Sequence, residues 1–137
     1  MALLYVDIDN FKKINDSLGH AAGDDLLRSF AQRLLQCVRA SDTVARLGGD
    51  EFTVILENLS SRETARSVVD KLMAALRRPF GIGGNEVQAR ASIGIAYFTD
   101  EAIKADALIK QADSALYWAK QHGRNDYSIH VPEGNSA

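Results

Sequence analysis

Four carboxylates stand at the ends of apolar runs, at spacings that a cation site would use. The stretch Arg46-Leu47-Gly48-Gly49-Asp50-Glu51-Phe52-Thr53-Val54-Ile55-Leu56 sets a glycine pair between two apolar segments, with two acids directly after it. Glycines there permit the positive φ angles of a tight two-residue hairpin, so the turn projects Asp50 and Glu51 from its tip. A second acidic pair closes the run Tyr5-Val6-Asp7-Ile8-Asp9. If the two runs are neighbouring strands, Asp7, Asp9, Asp50 and Glu51 converge at one end of a sheet, and like charges gathered there ask for a cation. Hard oxygen ligands of this kind suit Mg2+ or Mn2+, bound through one or two carboxylates together with substrate phosphates. The chemistry indicated is phosphoryl or nucleotidyl transfer, in which metals orient a triphosphate, neutralise the leaving group and lower the pKa of an attacking hydroxyl. An isolated D-x-D more often solvates a loop. Two acidic pairs at equivalent strand ends favour the cation site.

The elements that must position these acids fit one globular domain of 137 residues, 46% of them hydrophobic. Sixteen Lys and Arg against 18 Asp and Glu give a formal net charge of −2. That balance supplies no global field to draw in nucleic acid or a membrane surface, so an anionic ligand must be held by local groups. A single cysteine, Cys37, excludes an internal disulfide and fits a reducing compartment; it falls in an apolar helical pattern and reads as core. No apolar run reaches the ~18 residues of a membrane span, and no signal segment opens the chain. The expectation is a cytoplasmic chain without direct membrane insertion.

Ala2 to Ile8 reads as a buried first strand. After a polar loop, Asp24 is placed to cap a helix carrying Leu26, Leu27, Phe30, Leu34, Leu35 and Val38 at helical spacing and ending near Arg39. Thr43 to Leu47 and Phe52 to Glu57 form an antiparallel hairpin across Gly48-Gly49. Ser60-Ser61-Arg62-Glu63 has capping-box spacing and starts a second helix running to about Arg78, closed by Pro79. Gly81 to Asn85 reads as a loop and Val87 to Tyr97 as a strand interrupted by Gly94. A third helix, capped by Asp106, carries Leu108, Ile109, Ala112, Ala115, Leu116 and Ala119 and stops at Gly123; Tyr127 to Val131 is a last short strand. This order predicts an α/β sandwich (α+β) on a mixed, mainly antiparallel sheet with helices on its faces.

With the hairpin come Asp7-Ile8-Asp9-Asn10-Phe11-Lys12-Lys13-Ile14-Asn15-Asp16, Leu18-Gly19-His20, Gly23-Asp24, Arg39-Ala40-Ser41-Asp42 and Tyr117-Trp118-Ala119-Lys120-Gln121-His122-Gly123-Arg124-Asn125. Together these motifs closely resemble the GGDEF domain family, the diguanylate cyclases that condense two GTP molecules into cyclic di-GMP. The resemblance spans nearly the whole chain and implies a fold like the palm of nucleotidyl cyclases and polymerases.

Carried onto this sequence, the resemblance makes Asp7 and Asp50 metal-binding carboxylates, with the Ile8 backbone carbonyl as a further ligand. Glu51 stands where an acid assists the metals or deprotonates the ribose 3′-hydroxyl. Asn15 and Asp24 match a guanine-reading pair: a carboxylate accepts from N1–H and the exocyclic amine, and an amide meets the purine edge. Asn10, Phe11 and Lys12 resemble the turn whose backbone N–H groups hold terminal phosphates. Lys120 and Arg124 match two cations that reach the phosphates from the last helix. Arg39 and Asp42 match a product-inhibitory R-x-x-D site that engages guanine and phosphate of cyclic di-GMP. Each has a plainer alternative: a helix cap for Asp24, a solvated helix end for Lys120 and Arg124, a local ion pair for Arg39 and Asp42. Phe11, Phe30 and Phe52 read as core, His20 as a structural hydrogen-bonding residue near the guanine pocket, and His122 and His130 as exposed.

Family members usually carry a helix and a D-x-L-T-x-L-x-N-R segment ahead of the first strand, whereas six residues precede Asp7 here. The expectation is a GGDEF domain over 1–131, truncated at its N-terminus, with a flexible tail over 132–137. Apolar surface left uncovered on one sheet face would invite self-association. Because one domain binds one GTP, catalysis would need a second copy of the domain, brought close by attached sensory or regulatory segments. The alternative function is a non-catalytic GTP or cyclic di-GMP binding module of a larger signalling protein.

Overall fold

The computed structural model describes residues 1–57, 59, 61–97, 105–121 and 127–129. Strand β1 (Ala2–Ile8) leads into helices α1 (Phe11–Leu18) and α2 (His20–Cys37). The hairpin β2 (Thr43–Gly48) and β3 (Glu51–Leu56) is followed by helix α3 (Arg62–Arg77). A small hairpin, β4 (Phe80–Ile82) and β5 (Asn85–Val87), precedes β6 (Ala91–Tyr97), helix α4 (Ala105–Gln121) and β7 (Tyr127–Ile129). The main sheet runs β2-β3-β1-β6-β7 and is antiparallel except for the β6–β7 pair. The expected mixed, mainly antiparallel architecture is therefore present.

Alternation along the strands divides the sheet into two faces. Leu4, Val6 and Ile8, Phe52, Val54 and Leu56, and Ile93 and Ile95 join one core with Leu26, Phe30 and Leu34 of α2 and Val69, Leu72 and Leu76 of α3. Each fully buried Leu, Ile or Phe there contributes about 1.5–3 kcal/mol. Phe30 stands between Phe52 and Phe80, with ring centroids 5.3 and 5.9 Å away, so the aromatic pattern is core, as expected for Phe30 and Phe52. Phe11 and Cys37 pack half-buried at its edge. On the opposite face, α4 lies on β6 and β1, where Leu3, Ala96 and Ala112 form a smaller cluster. Contact there is backbone to backbone: a Cβ on Gly94 would sit 2.2 Å from Leu116 N and 2.3 Å from Ala112 O. Beside it an apolar groove of about 300 Å3 opens between Met1, Leu3, Tyr5, Leu47, Ile55 and Ile109.

Several local expectations need correction. The polar loop after β1 is the helix α1, whose Phe11 and Ile14 pack inward while Leu18 at its end stays exposed and its other residues are polar. α2 then starts at His20 with Gly19 as N-cap, so Asp24 is inside the helix and caps nothing. The two-residue turn of the main hairpin is Gly49-Asp50, one residue later than expected, because the register shifts between Arg46 and Gly48. Ser61 caps α3 by accepting from Thr64 N at 3.3 Å; Ser60, on which the expected capping box began, is outside the described residues. The 81–85 loop is largely the β4–β5 hairpin, and the single strand expected over 87–97 is divided between β5 and β6. Strands of three residues are too short for alternation to show. Asp106 lies in the first turn of α4, not before it, while Gly123, His122, His130 and the tail 132–137 fall outside the described residues.

Candidate active site

The central strand ends in Asp7, paired in register with Glu51 of β3. Its side chain projects to the α4 face, where the carboxylate is buried and Lys120 Nζ donates to Oδ2. The hairpin turn brings the Asp50 carboxylate against the same group. Burial pushes the Asp7 carboxyl up to about 7; Lys120 opposes that rise and the Asp50 charge adds to it. Asp7 Oδ1 is buried with no hydrogen-bond partner. An orphaned carboxylate oxygen beside a second carboxylate is an arrangement that a divalent cation would satisfy. Asp7 and Asp50 therefore fit a metal, with Lys120 donating to the second Asp7 oxygen.

The other two acids do not join them. Asp9 turns to β6 and accepts from Ser92 Oγ at 2.7 Å, and its own N–H donates to Arg90 O at 2.7 Å. Glu51 is exposed at the start of β3. Among the described residues no three His, Cys, Asp or Glu side chains gather closely enough to hold a metal. The expected four-acid convergence is thus a two-acid site, because the residue after the strand's end is free to turn toward a hydroxyl. The turn is held by Arg46, whose Nε donates to Gly49 O at 2.9 Å, and by Ile8 N, 3.4 Å from Asp50 O. Gly49 has φ +52°, the left-handed region expected of a glycine turn.

Directly after Asp9, Asn10 adopts φ 57° and ψ 31° and precedes α1 without a side-chain cap. A left-handed residue followed by an uncapped helix start leaves the N–H groups of Phe11, Lys12 and Lys13 available as an anion nest. That helix start opens three residues after Asp7 in the chain.

Asn15 and Asp24 lie on consecutive helices joined at Gly19. Asn15 is half-buried, with Nδ2 2.9 Å from His20 Nδ1, while Asp24 is exposed. Asp24 borders a cleft of about 430 Å3 between α2 and the β2–β3 hairpin, walled by Leu27, Arg28, Val44, Arg46 and Phe52. The cleft runs from Asp24 to the arginine that holds the acidic turn. Asn15 does not line it.

At the far end of α2, Asp42 is committed to its own chain. Its carboxylate accepts from Arg39 N at 2.9 Å and Glu57 N at 3.0 Å, and pairs with the Arg39 guanidinium at 3.4 Å. Burial alone would raise this carboxyl, but the two backbone N–H groups and the Arg39 charge outweigh it and hold it below its usual value. Arg39 also donates to Glu57 O and remains half exposed. Arg124 is outside the described residues.

Sequence reasoning missed Ser92, Arg46 and Tyr5. Ser92 had a signal, a fully buried hydroxyl in an otherwise apolar strand. Tyr5 is half-buried between Asp113 and Glu51; burial, then those charges, raise its phenol above the usual range. Nothing in the sequence pairs Tyr5 with Asp113, which is more than a hundred positions away.

A mixed sheet whose central strand ends in a metal-competent acid, with an acidic hairpin tip beside it, defines a palm-like α/β domain. The chain belongs to the GGDEF family: the family profile described as diguanylate cyclase, GGDEF domain, matches residues 1–126. It is 44% identical over 125 residues to the diguanylate cyclase TpbB of Pseudomonas aeruginosa (strain UCBPP-PA14), covering 90% of this chain and 29% of that protein. It is 39% identical over 135 residues to the cyclic di-GMP phosphodiesterase PdeR of Escherichia coli (strain K12), covering 98% of this chain and 20% of that protein. Among solved structures it resembles a delta-N mutant of PA1120 (TpbB or YfiN) from Pseudomonas aeruginosa (PAO1) comprising only the GGDEF domain. That match has a TM-score of 0.91 at 42% identity, over 95% of this chain and 76% of the other. The curated relatives thus carry the domain within much longer chains. No helix among the described residues is long and apolar enough to cross a membrane.

Proposed function

We propose that this chain is the catalytic domain of a diguanylate cyclase, joining two GTP molecules into cyclic di-GMP with release of pyrophosphate. The observation that carries the reading is the buried, unpartnered Oδ1 of Asp7, whose carboxylate lies beside Asp50 and is followed three residues later by the left-handed Asn10 that opens an uncapped helix start. In this reading Asp7, Asp50 and the Ile8 carbonyl hold Mg2+ or Mn2+, which would supply charge neutralisation on the triphosphate and acidify the attacking 3′-hydroxyl. The N–H groups at Asn10, Phe11 and Lys12 bind the terminal phosphates. Lys120 leaves Asp7 for those phosphates, joined there by Arg124. Glu51, exposed at the hairpin tip, accepts the 3′-hydroxyl proton or supports the metal. Asp24, at the mouth of the α2–hairpin cleft, and Asn15, on the preceding helix, read guanine. Each domain holds one GTP, so a second copy must present the other, and orientation supplies most of the rate. Arg39 takes the product's phosphate or guanine while Asp42 holds it in place.

The domain extends over 1–131, acts in the cytoplasm and is governed by sensory or regulatory domains elsewhere in its protein. Incubation with GTP and Mg2+ over a range of protein concentrations, followed by chromatography, tests this. Cyclic di-GMP formed more steeply than linearly with protein supports a paired cyclase. A second reading, a non-catalytic GTP or cyclic di-GMP binding module, is favoured by the likeness to a protein named for phosphodiesterase activity. It predicts nucleotide binding without product at any concentration.

A further inference from the structure

We propose that Ser92 and Asp9 are positioning residues, a clasp that holds the phosphate-binding turn in place, and that the preference for a nucleoside triphosphate over a monophosphate depends on the hydrogen bond between them. The inference rests on the reading of the turn at Asn10, Phe11 and Lys12 as the holder of the terminal phosphates. That turn is exposed at Asn10, whose φ of 57° is left-handed and whose side chain makes no cap bond. A non-glycine residue keeps such a backbone when its surroundings hold it there. The residue before it is held twice. Asp9 N–H donates to Arg90 O at 2.7 Å, which carries the β1–β6 pairing one residue past Ile8 and Ala91. Ser92 Oγ donates to Asp9 Oδ1 at 2.7 Å, and both residues are buried.

Ser92 stands directly opposite Asp7 in the sheet register, so by alternation its side chain shares a face with both acids. Its hydroxyl has one proton to give. Given to Asp9, that proton fixes Asp9 to β6 and leaves Asp7 Oδ1 without a partner. The two acids thereby divide: Asp7 faces the cation site, and Asp9 anchors the main chain that leads into Asn10. From there the N–H groups of Phe11, Lys12 and Lys13 follow within one helical turn. Without the Ser92 bond, the chain entering Asn10 loses a fixed point, and N–H groups that no longer converge hold a compact anion poorly. Neither residue of the clasp needs to touch the nucleotide.

Dissociation constants for GTP and GMP, both as 3′-deoxy forms so that no 3′-hydroxyl can react, test the clasp on the wild-type chain, Ser92→Ala, Asp9→Ala, the double variant and Ser92→Thr. GMP keeps the base and sugar and lacks the terminal phosphates. The expected result is that Ser92→Ala lowers the preference for the triphosphate by roughly tenfold, about one hydrogen bond to a charged group, and leaves the monophosphate affinity in place. Asp9→Ala does the same, the double variant loses no more than either single one, and Ser92→Thr, which restores the hydroxyl, recovers most of the loss. If the wild-type chain prefers the triphosphate and both alanine variants keep that preference, the clasp is wrong and the phosphate reading survives. If the wild-type chain binds the triphosphate no more tightly than the monophosphate, the phosphate reading fails and the inference with it. Losses that add in the double variant, or equal weakening of both nucleotides with a lowered melting temperature, would assign the two residues a purely structural role and overturn the proposal. Should Ser92→Ala not fold, Asp9→Asn, which keeps an acceptor for the Ser92 hydroxyl, is compared with Asp9→Ala: the clasp requires the first to hold the preference and the second to lose it.

Discussion

Two aspartates of this domain each have a side chain shielded from solvent and paired with one basic group, yet their surroundings drive them in opposite directions. The Asp42 side chain is 1% exposed, the Asp7 side chain 7%. Asp42 receives two backbone N–H groups in addition to Arg39, and its carboxyl is held below the usual range. Asp7 receives Lys120 alone, faces Asp50, keeps one oxygen unpartnered and is pushed up to about 7. Asp7 lies in the more deeply buried surroundings, and its charge is also the less satisfied of the two. A buried acid whose hydrogen bonds are filled by its own chain is part of the fold. One left short of partners marks where a ligand's charge completes the structure.

The largest effect expected from this contrast is on activity. Asp50→Ala should lower Mg2+-dependent cyclic di-GMP synthesis by about three orders of magnitude, the scale of losing a principal electrostatic group. It should not lower the melting temperature of the metal-free chain, because it removes a like charge from Asp7. Retained synthesis within tenfold of wild type would sink the metal assignment. Gly94→Ala ranks second. A Cβ 2.2 Å from the Leu116 backbone must force α4 off the sheet, at a cost of about 2–3 kcal/mol in thermal or denaturant unfolding. Since α4 also carries Lys120, the Asp7 side should lose its counter-charge while the Asp42 corner stays intact.

Asp42→Ala is expected to cost less, about 1–2 kcal/mol, as the Arg39 and Glu57 N–H groups lose their acceptor to water. The pH dependence follows from the same bonds. With the folded pKa depressed, the unfolded chain binds the proton more readily, so this stabilisation is present above the ordinary aspartate range and is lost as pH falls through the folded pKa. Unfolding curves between neutral and strongly acid pH should converge for wild type and Asp42→Ala at the acid end. A constant gap across that range would remove the charge from the explanation.

How much of this was legible beforehand follows from how local each signal is. Asp7, Asp50 and the strands that carry them were readable, because apolar alternation and a glycine turn are properties of adjacent residues. The convergence of all four acids was overestimated, since nothing in the sequence ties Asp9 to Ser92, 83 positions away. α1 reads as loop because it is short and mostly polar, with Phe11, Ile14 and the exposed Leu18 its only apolar residues, and Asp24 reads as a cap because the true start, Gly19-His20, has no capping side chain. The β4–β5 hairpin was lost to the shortness of its strands. Lys120 is expected at the phosphates and donates to the Asp7 carboxylate, a contact between residues 113 positions apart.

The smallest effect separates fold from regulation at the Asp42 corner itself. Asp42 spends its carboxylate inside the chain, so in the proposed inhibitory site the member left to face a ligand is Arg39, 51% exposed and tethered through Asp42 and Glu57 O. Arg39→Ala leaves both backbone N–H bonds to Asp42 in place, and loss of an exposed ion pair costs under about 1 kcal/mol. Synthesis at low product should therefore be unchanged, while inhibition by added cyclic di-GMP should weaken by about tenfold or more, as for a charge-assisted hydrogen bond to phosphate or guanine. Initial rates measured against increasing cyclic di-GMP decide between the two roles. Unchanged inhibition would leave Arg39 with Asp42 as a structural pair, and both members of that corner would then belong to the fold.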